Sequence, residues 1–402
     1  MLEATMRAEN LFGKVPVLLR LDNAYADGRD VDPWVYCVSD VLGGLVWSKG
    51  VVEIESAAFR GRPGMGRKRS TAVTLTDVAR LAGVSVATAS KALNARAEVA
   101  PDTRQRVIQA ADQLSFQPNV LARGLISGRT RTIGLLTDEL GGRFSIPILL
   151  GAENALANEQ MSVLLCDARG DAIRRRHYIQ TLLARQVDGF IVLGDSNDVR
   201  PSLGKDIPVP VVYVYGQSTD PNDLSVLADD ENGARLAVEH LIALRRKRIG
   251  HITGPQSYRA ARDRVVALRS VLAEHDLPLV GGEPMYGDWS QRWGRHATRA
   301  LVNAHPEVDA IFCGNDQIAS GCAQALLDLG RRVPEDVAIV GYDNWAEFAA
   351  DCRPPLTTVD LNLEQLGATA VMHLFAALDG VASTGVIRQP CRLVVRESTG
   401  PA

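Results

Sequence analysis

The sequence predicts a chain in two parts: an all-α helix-turn-helix module near residues 72–118 and, behind it, an α/β region of two lobes built on parallel sheets. Three observations lead there. A tight turn, Ala82-Gly83-Val84-Ser85, separates two short helical segments. From Arg131 onward, continuous apolar strand-like runs alternate with amphipathic helices, as in sheets covered on both faces. The charge is uneven: from Arg60 to Arg131 thirteen arginines and lysines stand against four acids, a net +9, which leaves −12 for the rest of a chain whose total is −3.

The helical module is justified residue by residue. Thr74-Leu-Thr-Asp77 reads as a capping-box start, with side chains free to satisfy the first unpaired N–H groups. Val78, Ala79, Leu81 and Ala82 supply an apolar stripe, and Gly83 ends the helix where a left-handed residue is needed. Ser85 caps a second helix, Val86–Leu93. A third starts at Pro101, carries Val107, Ile108, Ala111 and Leu114 along one face, and ends near Phe116 because Pro118 disfavours helix before it.

In the second region, strand-like runs cover residues 132–137, 162–166, 189–193, 209–214, 248–253, 310–313 and 337–340, and helical stretches cover 148–158, 177–185, 233–244 and 260–274. Roughly 270 residues of this pattern exceed a typical domain of about 100–150, so two lobes are expected. No apolar run is long enough to span a bilayer, and Met1 to Asn10 lacks a basic-then-apolar leader pattern. Six scattered cysteines without a C-x-x-C pair, and seven histidines without an H-E-x-x-H pattern, argue against a disulfide frame and a zinc site; no metal and no cofactor are expected. Residues 1–64 fit the rest poorly. They are either an upstream extension, with Met65 the natural start, or a small accessory segment.

A basic block in an acidic chain suggests a polyanionic partner, although a solvated basic surface is the commoner meaning of charge alone. The second helix of the module is short, with small or polar residues outward, as entry into a major groove requires. Ala89 and Leu93 are expected to face the core, and Val86, Ala87, Ser90 and Lys91 to face out. Lys91 suits guanine O6/N7 or a phosphate, and Val86 and Ala87 suit a thymine methyl. A generic helical hairpin explains the turn equally well when the turn is taken alone.

Three segments in order tip that balance. Residues 73–94 (VTLTDVARLAGVSVATASKALN), 99–107 (VAPDTRQRV) and 117–125 (QPNVLARGL) closely resemble the headpiece of the lactose/galactose repressor family, and the resemblance runs over roughly residues 66–400. It implies a headpiece at 72–118, a hinge helix or linker at 119–130, and at 131–400 a two-lobed effector domain similar to periplasmic sugar-binding proteins, with the N-lobe at about 131–228 and 361–390 and the C-lobe at about 229–360 and 391–400. It places DNA contacts at Thr74, Ser85, Val86, Ala87, Thr88, Ser90, Lys91, Asn94, Asn119, Ala122, Arg123 and Leu125. Val86, Ala87 and Lys91 take the base-reading positions, and Leu125 matches the leucine that wedges into the minor groove. Two of the three base-reading positions are apolar here, unlike the polar pairs common in the family, so operator preference does not carry over. Without the resemblance, 119–127 reads as a flexible linker with Leu125 packed on the core.

The same resemblance implies an effector between strand C-termini of the two lobes. Asp138 and Glu139 follow the first strand, with Phe144 nearby. Arg262 matches the family's effector-binding arginine and Trp289 an aromatic of the pocket. Asn315-Asp316 follows the strand at 310–313, Asp343 follows Val340-Gly341-Tyr342, and residues 354–358 match a crossover segment. Carboxylates, an amide, an arginine and an aromatic face suit a polyol, so the expected effector is a sugar. Taken singly, Trp289 also reads as core, Asp138, Glu139 and Arg262 as local charges, and Asp316 as a helix cap.

The function expected is a cytoplasmic, ligand-responsive transcriptional regulator, a repressor, that binds a near-palindromic double-stranded operator as a homodimer and touches no membrane. The tail after Val395 has no leucine heptads, which favours a dimer over a tetramer. Family effectors either release or promote DNA binding, so the sign stays open. The rival classes are a solute-binding component of a sugar transport system and an α/β sugar-processing enzyme. The first needs a leader and no basic headpiece, and for the second no G-x-x-x-x-G-K-[ST], G-x-G-x-x-G or G-x-S-x-G motif is in place.

Overall fold

The computed structural model describes residues 73–93, 98–116, 129–158 and 161–400, with the backbone of one further strand, β1 (Tyr36–Cys37). The chain falls into two compact units, residues 40–130 and residues 131–402 with 1–39. Apart from β1, Arg129 and Thr130, the segments 1–64 and 119–130 lie outside the described residues.

The small unit holds α1 (Leu75–Ala82), α2 (Val86–Leu93) and α3 (Pro101–Gln113). α1 begins where Asp77 reaches back: its Oδ2 accepts from the Thr74 N–H at 3.0 Å and from the Thr74 hydroxyl at 2.7 Å. Those bonds hold the Asp77 carboxyl below its ordinary pKa. α1 ends at Gly83, left-handed at φ +67°, with the Val84 N–H returned to the Ala79 carbonyl at 3.0 Å. A Cβ on Gly83 would meet nothing within 4 Å, so backbone angle rather than crowding calls for glycine. The core is Val78, Ala79, Ala82, Ala89, Ala92, Val107, Ala110 and Ala111 with Val99. Side chains this small let three short helices meet closely. On α2 the inner face belongs to Ala89 and Ala92, and Leu93 is only half-buried.

The large unit is built on two mostly parallel sheets. The first contains β2 (Thr132–Thr137), β3 (Ser162–Asp167), β4 (Gly189–Leu193), β6 (Val211–Val214), β8 (Leu224–Ala228) and β14 (Gly385–Gln389), in the order β1-β3-β2-β4-β6-β8-β14, with only β1 antiparallel. The second contains β9 (Ile249–Thr253), β10 (Met285–Tyr286), β11 (Ala310–Cys313), β12 (Ala338–Tyr342), β13 (Thr357–Asp360) and β15 (Arg392–Val394), in the order β10-β9-β11-β12-β13-β15, with only β15 antiparallel. A small ribbon joins β5 (Val199–Arg200) to β7 (Gln217–Ser218). Buried on both faces, the central strands carry no alternation: β4, β8, β9, β11 and β12 are buried at every position.

The helices of this unit are α4 (Ser145–Asn158), α5 (Ala172–Ala184), α6 (Asp230–Ala243), α7 (Arg259–Glu274), α8 (Gln291–Ala304), α9 (Asp316–Asp328), α10 (Ala346–Ala349) and α11 (Leu363–Leu378). α6 and α7 cover one face of the second sheet, where Phe312 and Val340 point, and α8 and α9 cover the other, where Ile311 and Ile339 point. The chain crosses between the sheets three times, after β8, after β13 and between β14 and β15. Ligand-scale space therefore opens at the strand C-termini, between two bodies joined by three short hinges. No helix among the described residues is long and apolar enough to cross a membrane.

α4 and α11 pack directly on each other. At their crossing a Cβ on Gly367 would overlap the Ile148 carbonyl, and one on Gly151 would overlap the Glu364 carbonyl. Backbone sits against backbone, so even one methyl group must push the helices apart. Gly367→Ala is expected to cost about 1–3 kcal/mol in urea unfolding, the usual range for overpacking. Unchanged stability would contradict this packing.

Candidate functional site

Two sites emerge, one in each unit. In the small unit, α2 presents Val86 at 44% exposure, with Ala87 and Lys91 exposed and Ser90 half-buried beside them. These positions share one helical face because Ala89 and Ala92 hold the opposite face in the core. Ser85 caps the helix: its Oγ accepts the Thr88 N–H at 3.1 Å and lies 2.8 Å from the Thr88 hydroxyl. Thr74 caps α1, so Thr74, Ser85 and Thr88 hold helix starts in place. Lys91, the one charged side chain of α2, pairs with Glu98. The expected DNA contacts Asn94, Asn119, Ala122, Arg123 and Leu125 lie outside the described residues.

In the large unit a cavity of about 350 Å³ lies between the lobes. Its walls carry Phe144 and Tyr215 from the first lobe and Tyr258, Trp289 and Trp345 from the second, with Glu139, Arg143, Asp195, Ser196, Asn197, Arg264 and Gln317 as polar groups. Trp289 reaches its place because Gly254 leaves room; a Cβ there would overlap the indole.

Arg264 is the deepest of these groups, at 2% exposure. Its Nε donates to Asp230 Oδ1 at 2.8 Å and its Nη2 lies 2.7 Å from the same oxygen, while its Nη1 donates to the Gly314 carbonyl. The guanidinium lies 3.6 Å from the Tyr342 ring centre. Burial works against its charge, but Asp230, Tyr342 and Asp343 outweigh burial and hold it firmly ionised. Asp230 also accepts from the Asn197 amide of the other lobe at 2.7 Å.

A second pair spans the cleft. Arg143, in the loop before α4, places Nη2 at 2.7 Å from Asp343 Oδ2, and its guanidinium lies over Phe144 at 4.4 Å and Trp345 at 5.2 Å. The pairing is ionic rather than directed, since neither buried Asp343 oxygen makes a hydrogen bond of good angle. Both oxygens keep acceptor capacity. Burial raises the Asp343 pKa against the pull of Arg143 and Arg264. Behind it, burial and then the Asp343 charge push Asp316 up to about 7, although its carboxylate accepts from the Thr358 hydroxyl at 2.6 Å and the Trp345 N–H at 2.7 Å. Further ties join the lobes: the Arg259 N–H donates to Asp198 at 2.8 Å, and the Arg259 guanidinium donates to Gln217.

The structure thus brings Glu139, Phe144 and Trp289 together on the cavity wall, sets Asp343 behind it against Arg143 and Arg264, and corrects three other expectations. Arg262 is exposed and donates to the carbonyls of Gln256 and Ser257; Arg264, two residues on, is the arginine of the cavity. The helix phase gives the reason. Ala261, Arg264, Val265, Leu268, Val271 and Leu272 form the buried stripe of α7, and Arg262 lies off it. Asp138 lies off the cavity wall because Arg175 and Arg200 each take its Oδ2 at 2.7 Å. Asn315 is fully buried as the cap of α9: its Oδ1 accepts the Ile318 N–H at 2.8 Å and its amide donates to the Trp289 carbonyl. It supports the cavity from behind. Arg143, Arg264, Tyr215, Tyr258, Trp345 and Asp230 were not expected. Only Arg264 had a usable signal, its place on an apolar stripe.

Two outcomes follow from this electrostatics. Asp316 binds its proton more tightly folded than unfolded, so it subtracts stability as pH rises from the ordinary 3.8 through about 7. Urea unfolding of wild type should show that decline between about pH 4 and about pH 7, and Asp316→Asn should flatten it. An unchanged slope would refute the assignment. Arg264→Met should destabilise by about 3–5 kcal/mol because Asp230 keeps a buried charge, and adding Asp230→Asn should recover part of that loss. Additive losses in a double-mutant cycle would show that the two side chains are not coupled.

Comparison with known proteins agrees with this architecture. Residues 74–119 match the model of the bacterial regulatory proteins of the lacI family, and residues 238–399 match a periplasmic binding protein-like domain. The ribose operon repressor of Halalkalibacterium halodurans is 32% identical over 328 residues, covering 81% of this chain and 97% of that protein. A lac repressor dimer bound to operator and the anti-inducer ONPF superposes with a TM-score of 0.64 at 30% identity, covering 82% of this chain and 99% of that one. A complex of the transcriptional regulator CelR with cellobiose gives a TM-score of 0.54 at 31% identity, covering 81% and 99%. With a three-helix headpiece whose second helix exposes Val86, Ala87 and Lys91, followed in the chain by two α/β lobes closed on a buried arginine, the chain belongs to the lacI family of DNA-binding transcriptional regulators.

Proposed function

We propose that this regulator is a cytoplasmic repressor that binds a near-palindromic operator as a homodimer and answers to a sugar held in the cleft between its lobes. The observation that carries the effector half is the cleft itself. Five aromatic side chains line a cavity whose polar groups come from both lobes, with Arg264 on its wall and Asp343 buried behind Arg143 and Arg264. Aromatic faces cover the C–H side of a sugar ring, and carboxylates and amides take its hydroxyls. The cellobiose complex of the CelR relative supports the same ligand class.

For the DNA half, α2 lies in the major groove, with Lys91 toward guanine or phosphate and Val86 and Ala87 toward thymine methyls. Thr74, Ser85, Thr88 and Ser90 fix the helix starts and the approach to the backbone. Asn94 and the hinge residues Asn119, Ala122, Arg123 and Leu125 complete the contact, Leu125 as the minor-groove wedge. Residues 119–130 act as the hinge between headpiece and effector domain. The effector shifts lobe closure about the three crossovers and thereby changes DNA affinity by a coupling free energy.

Three variants separate the roles. Lys91→Ala should lower operator affinity about tenfold in a mobility shift, reduce the salt dependence, and keep the effector response. In a thermal-shift screen of mono- and disaccharides, the sugar that raises the melting temperature of wild type should no longer do so with Trp289→Ala, because only a bound ligand adds that stability. Arg262→Ala should still respond, since its side chain faces away from the cavity. A Trp289→Ala protein that responds like wild type would remove the cleft from the mechanism.

A further inference from the structure

Glu98 is an acid at a surface that meets a polyanion, and no role described so far uses it. Lys91 is the one charged side chain of α2, and Glu98 Oε2 lies 2.5 Å from its Nζ, with both side chains more than half exposed. The carboxylate does not come from a neighbouring turn of the helix. It is delivered by the segment entering α3, anchored by Val99 in the three-helix core and by Pro101 at the first position of α3. An ion pair this exposed adds little to folding, and a carboxylate near phosphates opposes binding in general. What the pair offers at that surface is a donor and an acceptor side by side.

The major-groove edge of a G·C pair sets the guanine O6 and N7 acceptors beside the cytosine N4 amino donor. An ammonium held beside a carboxylate is the complement, donor next to acceptor. We propose that Lys91 and Glu98 read one G·C pair in each operator half-site as a unit, the ammonium donating to guanine O6/N7 and the carboxylate accepting from cytosine N4–H. This rests on α2 lying in the major groove. Charged readout falls to this pair because Val86 and Ala87 offer only apolar contact and Ser90, on the same face, is half-buried and uncharged. Glu98 also cancels the attraction of Lys91 for phosphate, so α2 holds firmly only where a base edge meets both groups.

The test is selection of binding sites from a random duplex library by the full-length protein, in wild type, Glu98→Ala, Glu98→Gln and Lys91→Ala. Wild-type half-sites should hold one G·C pair at a fixed position whose replacement costs about tenfold in affinity. Glu98→Ala should lose most of that preference, keep the preferences at all other positions, and bind random duplex more tightly with a steeper salt dependence. Glu98→Gln, which retains an acceptor oxygen, should keep part of the preference. A Glu98→Ala motif identical to wild type at every position overturns the pair while leaving α2 in the groove. A wild-type library with no enriched motif overturns both.

Discussion

Arg264 is a cation taken out of water, and the large unit is arranged around the groups that keep it charged. Asp230 supplies the compensating carboxylate from the first residue of α6, directly after the first crossover between sheets. The Gly314 carbonyl supplies an acceptor from the C-terminal end of β11, and Tyr342, the last residue of β12, supplies a ring face. Asn197 reaches from the other lobe to the free oxygen of Asp230. One guanidinium thus ties a hinge, two strand ends and the opposite lobe to a common point. Removing Asp230 would leave the Arg264 charge buried without its nearest compensation.

A second buried charge lies beside this one. Asp343 adopts φ +99°, a left-handed angle that a non-glycine residue avoids unless its surroundings impose it. Its N–H is held by the Val359 carbonyl at 2.8 Å, and the resulting backbone turns the carboxylate toward Arg143. Because Arg143 belongs to the opposite lobe, the charge state and contacts of Asp343 are linked to closure. A ligand that draws on Asp343 acts on the same oxygens that hold the lobes together, which is the differential contact that any ligand-driven shift requires.

The headpiece works by the opposite rule. Its core is mostly alanine, so the helices approach closely and the unit stays small. Its Val86, Ala87 and Lys91, on the outer face of α2, are solvent-exposed. What stabilises it, the Asp77 capping contacts, the left-handed Gly83 and the buried Val78 and Val107, lies away from Val86, Ala87 and Lys91. Substitutions on the outer face of α2 therefore touch few of the groups that hold the module together.

Much of this was legible beforehand. Capping residues, glycine stops and helical stripes placed α1, α2 and α3, and continuous apolar runs placed β2, β4 and β11, because these features act over a few neighbouring residues. Shorter or more polar strands such as β13 and β15 escaped notice, since Thr357-Thr-Val-Asp360 and Arg392-Leu-Val394 become strands only through the partners beside them. Periodicity also bore on the Arg262 and Arg264 choice, because the stripe on α7 includes the second and not the first. By itself the sequence determined which segments fold, which faces are buried and which family grammar they follow, all set by local backbone geometry and spacing. Only the tertiary structure decided that Asp138 is consumed by Arg175 and Arg200, that Asn315 stands behind the cavity, and that Arg143 crosses to Asp343. Those pairings join residues tens to hundreds of positions apart, and a periodic pattern reports that a face is covered without reporting what covers it.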